Sequence, residues 1–153
     1  MYRVREGQLE VLLAHPGGPF FKNKDAGAWS IPKGEADPDE DLLATAQREF
    51  QEETGITPSG PFVSLTPVKQ KGGKSVHVWG FAGDCDPSTI VSNTFEMEWP
   101  PKSGRQVAFP EIDRAEFFDL VTASVKINLA QLALVEELRE LIEKHPSSLD
   151  IRH

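Results

Sequence analysis

The sequence predicts an α/β domain: a mixed sheet with helices packed on it. Three observations carry this. Apolar runs at Tyr2–Arg5 and Gln8–His15 stand either side of Glu6-Gly7. Further apolar segments at 62–70 and 75–84 flank Lys71-Gly72-Gly73-Lys74, a hairpin signal. Two longer segments, one ending at Gly55 and one from Asn128 to Lys144, repeat apolar residues at helical spacing. A length of 153 residues fits one domain, 1–153, large enough to bury a core.

The elements follow in order. Leu9, Val11 and Leu13 alternate with Glu10 and Leu12, and Leu12 makes the second strand apolar on both faces, as in a central strand. Residues 16–28 are a glycine- and proline-rich loop, which leads through Trp29-Ser30-Ile31-Pro32-Lys33-Gly34 to the first helix. That helix is expected to start near Pro38 to Glu40, with Asp37 as N-cap and Pro38 at the first position. Leu42, Leu43, Ala46 and Phe50 give it a core stripe, and Gly55 stops it. In the strand at 75–84, Val76, Val78 and Gly80 share one face and His77, Trp79 and Phe81 the other. Asp84–Ser92 reads as a loop, Thr94–Trp99 as a strand, Pro100–Gly104 as a turn and Glu111–Phe118 as a short strand and loop. The second long helix opens on a capping box of Asn128 and Gln131, with Leu129, Leu132, Val135, Leu138 and Ile142 on its apolar face.

Net charge is −8, which argues against a surface that coats duplex nucleic acid. It leaves room for a small phosphate ligand bridged by a metal. The single cysteine, Cys85, excludes an internal disulfide and reads as an idle thiol. No apolar run approaches the ~20 residues of a membrane span. The start, MYRVREGQ, lacks the form of a signal peptide, so the expected setting is cytoplasmic.

Residues 34–56, GEADPDEDLLATAQREFQEETGI, hold the chemistry. Glu49, Glu52 and Glu53 lie at i, i+3 and i+4, so one side of a helix carries all three with Cβ atoms about 5–6 Å apart. Like charges so close destabilise a helix unless a cation sits among them. Oxygen ligands alone suit a hard divalent ion such as magnesium. Gly34, Glu40, Arg48, Glu49, Phe50, Glu52, Glu53, Gly55 and Ile56 fill every specified position of G-x(5)-E-x(7)-R-E-U-x-E-E-x-G-U, with U apolar. The stretch resembles the Nudix (MutT-type) hydrolase box, and the order of elements is similar to that family over nearly the whole chain. The resemblance implies the Nudix fold, an α/β/α sandwich with a mixed sheet. It also implies magnesium-dependent hydrolysis of a pyrophosphate bond in a nucleoside diphosphate linked to another moiety, with manganese as the alternative cation. Against the family, either the first strand is short or the chain starts upstream of Met1.

The resemblance further implies roles. Glu49, Glu52 and Glu53 would bind catalytic metal, the Gly34 carbonyl would be a further ligand, and Arg48 would hold a box glutamate by a salt bridge. An arginine fork fixes a carboxylate better than lysine does. Glu40 reads as a helix-start residue. Candidates for the general base are Glu52 and Glu53, and outside the box Glu96, Glu98 and Glu111. Glu98 leads the outside group because an acid beside Trp99 would adjoin a base-stacking pocket. Trp29, Pro32, Lys33 and Gly34 form W-x-x-P-K-G, similar to dinucleoside polyphosphate hydrolases, and Lys33 there would meet a phosphate. His15, Lys22 and Lys24 border the same loop. Trp29, Trp79, Trp99 and Phe109 are candidates to stack on a nucleobase, with core packing the competing role for Trp79. Position 71 is lysine, and the only tyrosine is Tyr2, so subclass markers of the ADP-ribose and dinucleoside branches are missing. Dinucleoside polyphosphates or nucleoside triphosphates are the favoured substrates. An RNA 5′ pyrophosphohydrolase and a non-catalytic nucleotide-binding module are the alternatives. The expected partner is a small nucleotide, with neither a membrane nor nucleic acid, in a monomer or a homodimer.

Overall fold

Glu6 and Gly7 both take positive φ, 53° and 77°, the backbone of a two-residue hairpin turn. They join β1 (Tyr2–Arg5) to β2 (Gln8–Pro16), with Tyr2 opposite Val11. The computed structural model describes residues 1–32, 41–69 and 75–144. On its other edge β2 pairs antiparallel with β9 (Ile112–Asp119), Val11 facing Phe118 and Ala14 facing Ala115. Tyr2 also bridges Ala82 in parallel, so the sheet is mixed as expected.

β2 is apolar on both faces because both faces are covered. Val11 and Leu13 pack with Tyr2, Trp29 and Phe118 against α2 (Leu120–Lys126) and α3 (Leu132–Lys144), through Ala123, Val135, Leu138 and Ile142. Leu12 packs with Ala115 and Phe81 against Phe50 of α1 (Leu42–Thr54). Helices on both faces make the α/β/α sandwich. Two pairs of very short strands extend it: β3 (Val63–Ser64) with β6 (Trp79–Gly80), and β4 (Val68–Lys69) with β5 (Ser75–Val76). They correspond to the hairpin expected there, whose turn at 71–74 lies outside the described residues. β7 (Thr94–Glu98) and β8 (Gln106–Pro110) form a ribbon of their own. Among the described residues no helix is long and apolar enough to cross a membrane.

Several expectations need correction. α1 starts at Leu42, and its N-cap is Asp41, whose carboxylate accepts from Ala44 N at 2.9 Å. Asp37, Pro38 and Glu40 lie outside the described residues. Of the expected core stripe Phe50 is buried, whereas Leu42 is 40% exposed and Leu43 and Ala46 are half-buried. The stop is as expected: Gly55 sits at φ 77° and its N–H reaches Gln51 O. Residues 120–126 carry a helix that periodicity does not announce, capped by Asp119, which accepts from Thr122 N at 2.8 Å. The capping box at 128–131 does not form. Asn128 makes no side-chain cap, and Gln131 is buried, accepting from Ile31 N at 3.0 Å. A 3₁₀ turn over Leu129–Gln131 delays the helix and points Leu129 outward, 85% exposed.

Candidate active site

Phe50 fixes the rotation of α1 by entering the core beneath it, edge to face with Phe81 at 5.1 Å. At about 100° per residue, this phase distributes the box side chains. Glu53, one turn on from Phe50, falls on the inner flank and is 9% exposed. Glu49 falls next outward, and Glu52 beyond it, with side-chain exposures of 17% and 42%. The carboxylates therefore form an arc from core to solvent. Arg48 closes its outer end. Its Nη1 lies 3.1 Å from Glu52 Oε1 and 3.3 Å from Glu49 Oε1. The expected salt bridge to a box glutamate is thus present, and it is made to two of them.

Three carboxylates and one guanidinium leave two negative charges on these turns, the charge of one divalent cation. Oxygen donors of this kind fit a hard ion. Among the described residues no three His, Cys, Asp or Glu side chains are grouped closely enough to hold a metal as they stand. Gly34 lies outside the described residues, as does Lys33, so their expected roles are not addressed by these contacts.

A cavity of ≈ 400 Å³ runs along the inner side of α1. Glu49 borders it together with Leu43, Ala46, Phe62, His77 and Trp79. Its wall is apolar and its polar groups are few, the usual make-up of a small-molecule site.

Other expected site residues fall elsewhere. Trp29 cannot stack on a ligand: it is 2% exposed, edge-on to Phe118 at 5.0 Å, and its Nε1 donates to Asp25 at 2.8 Å. His15 cannot contact substrate either. The pleat of β2 turns it to the Val11 and Leu13 face, where it is fully buried against Trp29. Its Nε2 donates to the Lys24 carbonyl at 2.6 Å and its Nδ1 lies 2.8 Å from Asp113. It holds the 16–28 loop instead. Glu98 is taken up by its own turn, accepting from the N–H of Lys102, which sits at φ 63°. Glu96 is exposed on β7, and Glu111 is half-buried beside the ribbon's stem. Cys85 is half-buried, and burial pushes its thiol pKa up, which suits an idle group. Trp99 is half-buried with Phe20 edge-on at 5.6 Å, and Phe109 packs on Phe95 at 6.0 Å. Phe20 and Phe21 are exposed aromatic residues that the sequence reading passed over. The available signal was a pair of phenylalanines in a loop otherwise made of glycine, proline and polar residues.

Residues 1–144 match the family model described as the NUDIX domain. A segment of 50 residues is 46% identical to "Nucleoside diphosphate-linked moiety X motif 6" of Xenopus laevis, covering 33% of this chain and 22% of that protein. Another alignment, over 52 residues, is 40% identical to an "RNA pyrophosphohydrolase" of Erythrobacter litoralis, covering 31% of this chain and 32% of the relative. Both matches therefore span less than half of those proteins. Among solved structures, a C. elegans Ap4A hydrolase in a binary complex superposes with a TM-score of 0.62 at 21% identity, over 94% of this chain and 93% of that one.

Proposed function

The chain belongs to the Nudix family, and on that premise we propose that it hydrolyses a pyrophosphate bond in a nucleotide whose diphosphate is joined to a second moiety, with dinucleoside polyphosphates or nucleoside triphosphates favoured. The single observation that carries this is the arc of Glu53, Glu49 and Glu52 with Arg48 across its outer end. Glu49, Glu52 and Glu53 would hold magnesium, with the Gly34 carbonyl as a further ligand. When bound, such an ion neutralises phosphate oxygens and lowers the pKa of a coordinated water.

The chain's own groups do the rest. Arg48 fixes the rotamers of Glu49 and Glu52, so that donors are oriented before substrate arrives. Glu53, on the inner flank, is the carboxylate we assign as inner ligand or base. The apolar wall beside Glu49 would exclude water around the bound nucleotide and confine the nucleophile to the box side. Lys33 would contact a phosphate. The name of the Erythrobacter relative favours a second reading, removal of pyrophosphate from an RNA 5′ end.

The test is a substrate panel with magnesium: dinucleoside polyphosphates, nucleoside triphosphates, nucleotide sugars and a 5′-triphosphorylated oligomer. Glu53→Gln is expected to lose at least about 100-fold in kcat on whichever is cleaved. A loss under about fivefold would contradict the role given to Glu53. Release of no product from any member, with the nucleotide still bound, would mean a binding module.

A further inference from the structure

The box accounts for one end of a ligand. The surface formed where the 16–28 loop meets the tip of the β7–β8 ribbon is not explained by it. Phe20, 59% exposed, stands edge-on to Trp99 at 84° between planes. Phe21 is exposed beside it, with Lys24 Nζ 5.4 Å from its ring centre. Lys22, Lys102 and Arg105 are exposed on the same two segments, in a chain of net charge −8. The turn 99–105, WPPKSGR, contains no acid of its own, and the Glu98 carboxylate beside it accepts from the Lys102 N–H.

We propose that this loop–ribbon jaw seats a second nucleobase of the substrate, joined through the phosphates to the nucleotide handled at the box. The proposal rests on the pyrophosphohydrolase reading and deepens it by placing the second base of a two-base substrate. Three features support it. Exposed aromatic rings, one with Lys24 against it and further cations on the same segments, match a base and its phosphate, since every nucleobase offers a π-face to stack and every phosphate a negative charge. An edge-on pair leaves a ring face uncovered for such stacking. The arrangement is also built rather than loose. A Cβ at Gly17 would stand 1.9 Å from Pro110 O, and one at Gly18 2.9 Å from Phe95, so the two glycines let the loop close on the ribbon. His15 clamps the Lys24 carbonyl from below.

The position fits as well. The segment leading into the ribbon is tied to the end of the box helix by Val91 N–H to Thr54 O at 3.4 Å. β7 then runs five residues, about 17 Å at the usual rise, before Trp99. That chain path sets an upper bound on how far Trp99 stands from the tie to the box helix.

The experiment compares wild type with Phe20→Ala and Phe20→Tyr on a dinucleoside tetraphosphate and on the matching nucleoside triphosphate. It reads kcat and KM for each, and Kd for each by calorimetry in chelator, where no turnover occurs. For Phe20→Ala the preference for the two-base ligand, as a ratio of kcat/KM and of Kd, is expected to fall roughly tenfold, with the change in KM, and Phe20→Tyr to keep it. An unmoved ratio would overturn the proposal. So would tighter binding of a single-stranded oligonucleotide than of the dinucleotide, lost in Phe20→Ala. If wild type cleaves nothing, the enzyme reading fails, and the Kd ratio alone decides whether the second-base site stands.

Discussion

The end of α1 and the loop–ribbon jaw both gather functional side chains at a surface, by opposite routes. At α1, Arg48, Glu49, Glu52 and Glu53 come from neighbouring turns of one helix, and only its rotation has to be set. Phe50 sets it from beneath. At the jaw, Phe20 and Trp99 come from segments far apart in the chain, and two glycines, a histidine clamp and a strand pairing must all form before they meet. A local site depends on one buried anchor; a non-local one depends on several contacts at once.

That contrast can be broken at either end. Phe50→Ala removes the anchor of α1 and should cost about 3–5 kcal/mol of stability, read as the shift in urea midpoint. Should the loss be under about 1 kcal/mol, Phe50 is not what sets the rotation of the box. Gly17→Ala forces a methyl against Pro110 and should cost about 1–3 kcal/mol. Its effect on the two-base preference should exceed its effect on magnesium dependence. Arg48→Lys keeps the charge and loses the fork. It should lower kcat/KM about tenfold and raise the magnesium needed for half-maximal rate, since groups that orient metal ligands usually matter by about 10–100-fold; an unchanged magnesium curve would remove Arg48 from the site.

The smallest expected effect concerns pH. Asp25 is held below the usual carboxylate range by its hydrogen bond from Lys126, and further by that from Trp29. A carboxylate whose folded pKa is lowered contributes stability above its unfolded value, about 3.9, and loses it as pH falls through the folded value. Acid should therefore weaken the contacts of Asp25 with Lys126 and Trp29 below the ordinary carboxylate range. Trp29 fluorescence would report the change, and Asp25→Asn should abolish that acid transition.

The same contrast explains what could be read from the sequence. The box, the Gly55 stop and the two-faced β2 depend on residues close together in the chain, and pattern sufficed. Trp29 reads in the sequence as a candidate to stack on a nucleobase, at the head of the W-x-x-P-K-G pattern. It is instead a hub that bridges Ile127 and hydrogen-bonds Asp25 from the core, which only the fold reveals. The helix at 120–126 has valine, threonine and serine where helix formers would announce it. Its cap by Asp119 and the burial of Ala123 outweigh that propensity. Gln131 was assigned to a cap, but Ile31 N–H, remote in sequence, takes its side-chain oxygen. His15 followed the pleat of its strand inward, against its polarity, because Asp113 and Lys24 O were there to receive it.

The stem of the β7–β8 ribbon has a bearing on how this architecture could be retuned. Besides its connection at Val91, the ribbon is fastened where Glu111 N–H meets Asn93 O at 2.8 Å and Ile112 N–H meets Ser92 Oγ at 3.1 Å. Adding or deleting two facing pairs above that fastening would carry Trp99 outward or inward by about 7 Å, two strand rises. The chemical machinery on α1 would stay where it is, so ligand length becomes an adjustable dimension, set by the ribbon like the arm of a caliper.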